Sequence, residues 1–167
     1  MNTVDRYGDN ATLLKIIDRS IDEFIDDTIT TVGGGAFYQC SSMRTLSLPS
    51  IVSARDFAFT NCSALTSLEF PSLESVGSAV LSGCASLETV ALPKVRSIAT
   101  YGFYNCSALT KLILGNETLV TLNNRNALQG ANNAVIYVPD ALVDSYKSAT
   151  NWSTYADRIK GLSELPE

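Results

Sequence analysis

The chain has 167 residues, of which 46% are hydrophobic and 17% are charged. This size and composition favour one folded domain and exclude an intrinsically disordered chain. The net charge of −5 excludes the basic surface that phosphate backbones require, so no nucleic-acid partner is expected.

The first 17 residues are predicted to form an N-terminal capping helix. Four apolar residues have the spacing of one helix face, and Asn10 or Thr12 is the candidate N-cap. The four are Leu13, Leu14, Ile16 and Ile17. Residues 1–30 carry seven acidic and three basic side chains, so most of the negative charge lies at this end. This charge is expected to keep the end of the molecule soluble and to oppose end-to-end stacking.

A repeat of 22 residues is predicted over residues 18–128. Four cysteines mark the full units: Cys40, Cys62, Cys84 and Cys106. Counted from each cysteine, positions 4, 7 and 9 are apolar. Position 10 is proline in three units, and position 20 is aromatic or leucine in three units. The alternation at positions 7 and 9 predicts a strand with one buried face, which the proline ends. Residues 18–39 are a degenerate first unit.

One unit of this kind cannot bury its apolar side chains alone, so the units must stack. The predicted fold is an α/β repeat, a short right-handed solenoid with a parallel sheet on one side and helical caps. In this register Leu68 occupies position 7 and is expected to be buried in a central strand.

Residues 129–167 are predicted to close the solenoid with a strand and a helical cap. The apolar run at residues 135–139 reads as the last strand. Asp140 is a plausible N-cap for a helix that continues to about Ser148. Trp152, Tyr155 and Ile159 suggest a second short helix.

The unit, cysteine followed by two small residues, leucine and a strand ending in proline, resembles the BspA-like leucine-rich repeat family over about residues 18–128. The resemblance implies the same solenoid, and many members of that family lie on bacterial surfaces and bind host or matrix proteins. The segment from Tyr137 to Asp157 resembles the C-terminal caps of repeat proteins from Firmicutes and their prophages, some of which are similar to phage structural components. The family carries no catalytic residues to this chain.

The cysteines invite a metal-site or disulfide interpretation. A 22-residue spacing instead places one cysteine in each coil, and strands about 4.8 Å apart would spread the sulfur atoms along a column. Tetrahedral zinc requires all its ligands around one point. Buried, reduced thiols that act as small hydrophobic residues are therefore expected, with no metal ligands and no cofactor. Because the chain also has no histidine, no enzymatic activity is expected.

Positions 6 and 8 of each strand point away from the core, and position 5 lies at their edge. These positions form the candidate binding face. Its residues are Arg44, Thr45, Ser47, Ser67, Glu69, Glu88, Thr89, Ala91, Lys111 and Ile113. The aromatic turns, with Tyr38, Tyr101 and Tyr104, are a competing candidate.

Two functions are compatible with this sequence. The first is a non-enzymatic recognition or adhesion module that binds another protein (of a host, a surface or a virion) or a glycan. The alternative is a structural or tail-associated component of a phage particle, for which self-association is expected. No signal peptide or membrane-spanning segment is recognised, so the expected location is cytoplasmic for a complete chain, virion-associated for a prophage product, and the cell surface for a fragment of a longer protein.

Overall fold

A computed structural model describes residues 4–6, 12–16 and 18–167. The described chain winds into stacked coils whose strands pair in parallel with those of the next coil. The strands are, in chain order, β1 (Val4–Arg6), β2 (Thr12–Ile16), β3 (Glu23–Ile25), β4 (Thr31–Val32), β5 (Thr45–Ser47), β6 (Ser53–Ala54), β7 (Ser67–Glu69), β8 (Ser75–Val76), β9 (Thr89–Ala91), β10 (Ser97–Ile98), β11 (Lys111–Ile113), β12 (Thr121–Leu122), β13 (Val135–Val138) and β14 (Ile159–Gly161). One α-helix, α1 (Val143–Ser148), and 3-10 helices at Asp140–Leu142, Trp152–Arg158 and Leu162–Glu164 follow β13.

Each full coil contributes two strands. The strand at positions 6–8 belongs to the front face, which we define as β3, β5, β7, β9, β11, β13 and β14. A two-residue strand belongs to the side sheet, which we define as β1, β2, β4, β6, β8, β10 and β12. This strand lies at positions 14 and 15 in the first three full coils and two residues later in the coil that starts at Cys106. The predicted parallel solenoid is confirmed. The side sheet was not predicted, because two residues are too few to show an alternating pattern.

The core is a set of side-chain columns that run along the solenoid. The residues at position 4 are inaccessible to solvent: Met43, Leu65, Leu87 and Leu109. At the N-terminal end the rings of Phe24, Phe37, Phe59 and Phe70 form a continuous row, with successive centroids 5.1, 5.3 and 5.0 Å apart. Each buried leucine or phenylalanine contributes about 2 kcal/mol through the hydrophobic effect. Because these columns cross every coil boundary, the coils are stabilised by one another.

The predicted N-terminal helix is wrong over the residues that the structure describes there. Residues 12–16 form β2, which pairs in parallel with β4 and in antiparallel orientation with β1. Leu13 is fully buried. The open edge of the side sheet offers main-chain hydrogen bonds to this segment, and this tertiary pairing overrides a local helical pattern. Asn10 and Ile17 lie outside the described residues.

The C-terminal region contains the predicted strand and first helix, with two differences. The helical turns run from Asp140 to Ser148, but the side chain of Asp140 does not cap them. Its carboxylate instead accepts hydrogen bonds from the amide and the hydroxyl of Ser163, which lower the pKa of Asp140. Trp152 and Tyr155 lie in a 3-10 helix as expected, whereas Ile159 begins β14 beside β13.

Side chains of this region close the last coil by binding its main chain. Tyr146 Oη accepts a hydrogen bond from the amide of Val120 at 3.0 Å, and Trp152 Nε1 donates to the Val120 carbonyl at 2.7 Å. Three further side chains make the same kind of contact. Asn151 donates to Leu122 O, Tyr155 bonds with Leu128 N and Arg125 O, and Arg158 donates to Ala131 O. Main-chain groups that a further coil would satisfy are thus satisfied by side chains.

The front face is divided between β7 and β9. Strands β3, β5 and β7 form one sheet, and β9, β11, β13 and β14 form another. The amides of Leu48 and Leu92 donate across to the next coil at 3.1 and 2.9 Å, whereas within the described chain the equivalent amide of Phe70 makes no such bond. The side sheet is continuous past this point. Leu68, expected to be fully buried, borders the division and is only partly buried.

No helix in the described part of the chain has the length and apolar composition needed to cross a bilayer.

We expect Leu112→Ala to lower the free energy of unfolding by about 2–5 kcal/mol, because truncation of a fully buried leucine leaves a cavity. Leu112 is inaccessible to solvent, and Leu68 occupies the same repeat position in a partly buried site. Leu68→Ala is therefore expected to cost on the order of 1 kcal/mol. Urea unfolding of both variants and the parent measures the two losses. Equal losses would contradict the difference in burial.

We also expect the amide of Phe70 to exchange with solvent deuterium faster than the amides of Leu48 and Leu92. All three follow a front-face strand, but only the latter two have an acceptor in the next coil. Exchange is slowed by stable hydrogen bonds and reports local opening. Residue-resolved NMR exchange measures the three rates in one sample. Equal protection of the three amides would show that the amide of Phe70 also forms a hydrogen bond to the next coil in solution.

Candidate functional site

The front face brings the sequence-predicted binding residues together in two columns. Strand register places Thr45 beside Ser67 and Ser47 beside Glu69 on one side of the division. On the other side it places Lys111 beside Thr89 and Ile113 beside Ala91. Six of the ten predicted residues are exposed, namely Arg44, Ser67, Glu69, Glu88, Thr89 and Ala91. The other four, Thr45, Ser47, Lys111 and Ile113, are half-buried.

Hydrogen bonds engage two charged residues of this face. The Ser47 hydroxyl donates to the Glu69 carboxylate at 2.5 Å. Lys111 Nζ donates to the carbonyl of Pro166 at 3.4 Å, so the C-terminal residues lie against the C-terminal part of the face. The more open part of the face is therefore its centre, around β7 and β9.

The front face extends one coil further than predicted. Ile25 lies beside Ser47 in the register of β3 and β5, and 62% of its side chain is exposed. It occupies position 8 of the degenerate first unit, so the repeat register contains the signal that identifies it. The same column continues through Ile113 to Tyr137.

The cysteines form a buried column, as predicted. All four are free thiols with no exposed surface. Three of them donate Sγ–H hydrogen bonds to main-chain carbonyls at 3.1–3.3 Å. The donor and acceptor pairs are Cys62 and Phe37, Cys84 and Phe59, and Cys106 and Leu81. Burial raises the pKa of Cys62 and Cys106 to about 12 and places that of Cys84 well above its usual range. The neutral thiols are therefore packing groups.

No group of three or more histidine, cysteine, aspartate or glutamate residues within the described chain is arranged to hold a metal ion.

A second surface is formed by the turns of the coils, which we call the turn ridge and define as residues 35–39, 57–61, 79–83 and 101–105. Position 18 of each turn has a left-handed backbone, with φ between 53° and 63°. The residues there are Gly35, Phe57, Ala79 and Tyr101. This conformation costs roughly 1–2 kcal/mol for a residue with a side chain and little for glycine. Two of these strained positions nevertheless hold aromatic residues, Phe57 and Tyr101, whose side chains are 51% and 41% exposed.

The other aromatic residues of the turn ridge are less exposed. Tyr38 and Tyr104 are half-buried. The guanidinium of Arg19 lies 6.0 Å from the centre of the Tyr38 ring. Tyr104 packs nearly perpendicular to Tyr101, with the ring centroids 5.3 Å apart and an interplanar angle of 79°.

Stacked coils of 22 residues, with parallel strands and a leucine-rich core, define a leucine-rich repeat protein. A family model described as the BspA type leucine rich repeat region matches residues 19–149 in six copies. The chain belongs to the BspA-type leucine-rich repeat family. The similarity of its C-terminal cap to those of Firmicutes and prophage proteins stays a prediction.

Several solved structures share this fold. A leucine-rich repeat protein from Bacteroides ovatus is 20% identical, with a TM-score of 0.58 over 85% of this chain and 42% of its own. A leucine rich cell surface protein from Faecalibacterium prausnitzii is 18% identical, with a TM-score of 0.53 over 83% of this chain and 53% of its own. A T. pallidum leucine rich repeat protein is 18% identical, with a TM-score of 0.54 over 95% and 94%. The chain therefore spans about half the length of the first two relatives. A search of curated proteins found no match.

We expect the stability of the protein to fall as the pH rises from about 9 towards 12. The pKa of Cys106 is raised by burial from 9.0 to about 12. In the unfolded chain this thiol ionises from about pH 9, whereas in the folded protein it stays neutral. The contribution of the buried thiol to the free energy of unfolding is therefore complete below about pH 9 and is lost as the pH rises. Between pH 8 and pH 10 the free energy of unfolding should fall by about 1 kcal/mol less in Cys106→Ala than in the parent. Urea unfolding at the two pH values measures it, and identical falls would contradict the role of this thiol.

Proposed function

We propose that the chain is a non-enzymatic recognition module that binds another protein through the centre of its front face. Its family and fold support a binding role, because a solenoid presents an extended, regular surface on stacked strands. The proposed contact residues are the exposed Ser67 and Glu69 on β7 and Thr89 and Ala91 on β9, with Arg44 and Glu88 at their edge.

The observation that carries this proposal is the division between β7 and β9. Between residues 66–70 and residues 88–91 of the described chain, the main-chain bonds that join the other front-face strands of neighbouring coils are not formed. Main-chain amides and carbonyls that face this opening have no protein partner there and must bind water or another molecule. An approaching protein can satisfy these groups with its own donors and acceptors. The front face therefore combines exposed side chains with main-chain groups at one place.

The composition of the face suits a polar, reversible interface. Ser67, Thr89 and Ala91 are small, so a partner can approach the strands closely. Glu69 and Glu88 give this centre a negative character that favours a partner with basic side chains. Charged groups at the rim of an interface change the rate of association and its dependence on salt more than the final affinity.

We expect Ala91→Arg to abolish binding while the fold stays intact. Ala91 is an exposed strand residue of the front face, and a long cationic side chain there blocks the opening beside β7. Thr121→Arg is the matched control, since Thr121 is an exposed strand residue of the side sheet. The parent and both variants are tested by surface plasmon resonance against a panel of purified matrix proteins, with thermal unfolding as the check on folding.

Binding by the parent and Thr121→Arg, with loss in Ala91→Arg, supports the proposal. Equal binding by all three proteins places the contact elsewhere, and no binding of the parent to any protein of the panel would show that these matrix proteins are not its partners. Light scattering after size-exclusion chromatography tests the structural alternative. A defined oligomer that Ala91→Arg dissociates would show that the front face joins copies of this chain.

A further inference from the structure

Tyr101 is an exposed aromatic residue in a backbone conformation that disfavours it. Its φ is 59°, in the left-handed region where a bulky side chain is a marked outlier. Gly35 occupies the same repeat position with φ 63°, so the coil itself accepts glycine there. The Tyr101 side chain is 41% exposed and is therefore not retained for burial in the core. Strained residues that packing does not explain point to a function of their side chains.

The ring of Tyr101 forms one wall of a groove on the turn ridge. The groove has a volume of about 390 Å³ and is lined by Ala79, Ser82, Tyr101, Tyr104 and Gln129. The edge-to-face contact with Tyr104 fixes the orientation of the Tyr101 ring. Ala79 is one coil before Tyr101 at the same repeat position, and its small side chain leaves space beside the ring.

The polar residues of the groove follow one another along the ladder of coils. The amide of Gly83 donates to the Tyr104 carbonyl, and the amide of Asn105 donates to the Gln129 carbonyl, both at 2.8 Å. Ser82, Tyr104 and Gln129 therefore occupy neighbouring coils, about 4.8 Å apart. Their side-chain hydroxyls and amide, like the Tyr101 hydroxyl, have no hydrogen-bond partner within the described chain.

The chemistry of the groove selects its ligand. All of its lining residues are neutral, so it offers no counter-charge to a phosphate, a carboxylate or a basic peptide. It offers instead an aromatic ring face beside hydroxyl and amide groups that both donate and accept hydrogen bonds. A sugar ring has matching surfaces, since its axial C–H groups pack on an aromatic ring and its hydroxyls pair with hydroxyls and amides. We propose that this groove binds a neutral hexose unit of a glycan, with Tyr101 as the stacking platform and Ser82 and Gln129 as hydroxyl-binding groups.

The test uses the full chain and three neutral probes: maltohexaose, cellohexaose and mannohexaose. Binding is followed by NMR through the amide signals of Ala79, Ser82 and Gln129. A hyaluronan hexasaccharide tests a charged glycan, and a short neutral peptide with one phenylalanine tests a peptide ligand. Tyr101→Gly removes the ring and relieves the left-handed backbone. Phe57→Gly is the matched control, because it makes the same change at the same repeat position outside the groove.

At least one neutral oligosaccharide is expected to shift the three signals in the parent. Tyr101→Gly should weaken this binding by about tenfold or more, while its thermal stability is equal to or above that of the parent. Phe57→Gly should bind as the parent does. The proposal is overturned if no neutral oligosaccharide shifts these signals, if the peptide or hyaluronan binds there instead, or if the two glycine variants bind equally well. These outcomes are independent of the front face, which none of these substitutions touches.

Discussion

Every coil of this protein depends on hydrogen bonds between its main chain and that of the neighbouring coil. Apart from the division between β7 and β9, the interior coils of the described chain satisfy amides and carbonyls on both sides. The same stacking closes the columns of leucine, phenylalanine and cysteine that form the core. The two ends satisfy this constraint differently. At the N-terminal end β2 extends the side sheet and β1 pairs with it in the opposite direction. At the C-terminal end tyrosine, tryptophan, asparagine and arginine side chains take the place of a coil.

The ladder also determines what the surfaces present. It places side chains of the same repeat position one coil apart, so a residue type that recurs in several units forms a column on the surface. At the centre of the front face the recurring residues are small and polar, and the ladder is interrupted there between β7 and β9. Each turn of the turn ridge has a left-handed residue at position 18. This backbone conformation disfavours a bulky aromatic residue such as Tyr101. The two surfaces are chemically distinct, since one carries the acidic Glu69 and Glu88 and the other has a neutral groove.

The repeat strands and the buried cysteines were predictable because their patterns recur in four units. Alternation around Leu46, Val90 and Leu112 identifies a strand, and the position of Ser67 or Ala91 on its exposed side follows from the same alternation. The features that escaped prediction depend on contacts distant in sequence. The strand at residues 12–16 exists because β4 offers it a sheet edge, and Leu68 is partly exposed because β7 and β9 separate. The half-burial of Lys111 likewise involves Pro166, which no local pattern connects to it.

The closing contacts of the C-terminal cap have an evolutionary consequence. The side-chain polar groups of Tyr146, Trp152, Asn151 and Arg158 bind amides and carbonyls of the last coil. Since main-chain groups are present in every coil, this hydrogen-bonded part of the cap depends little on which side chains the last coil carries. Duplication or deletion of a 22-residue segment would then change the length of the solenoid without requiring a new terminus. The number of coils could then change while the same cap closes the end of the molecule.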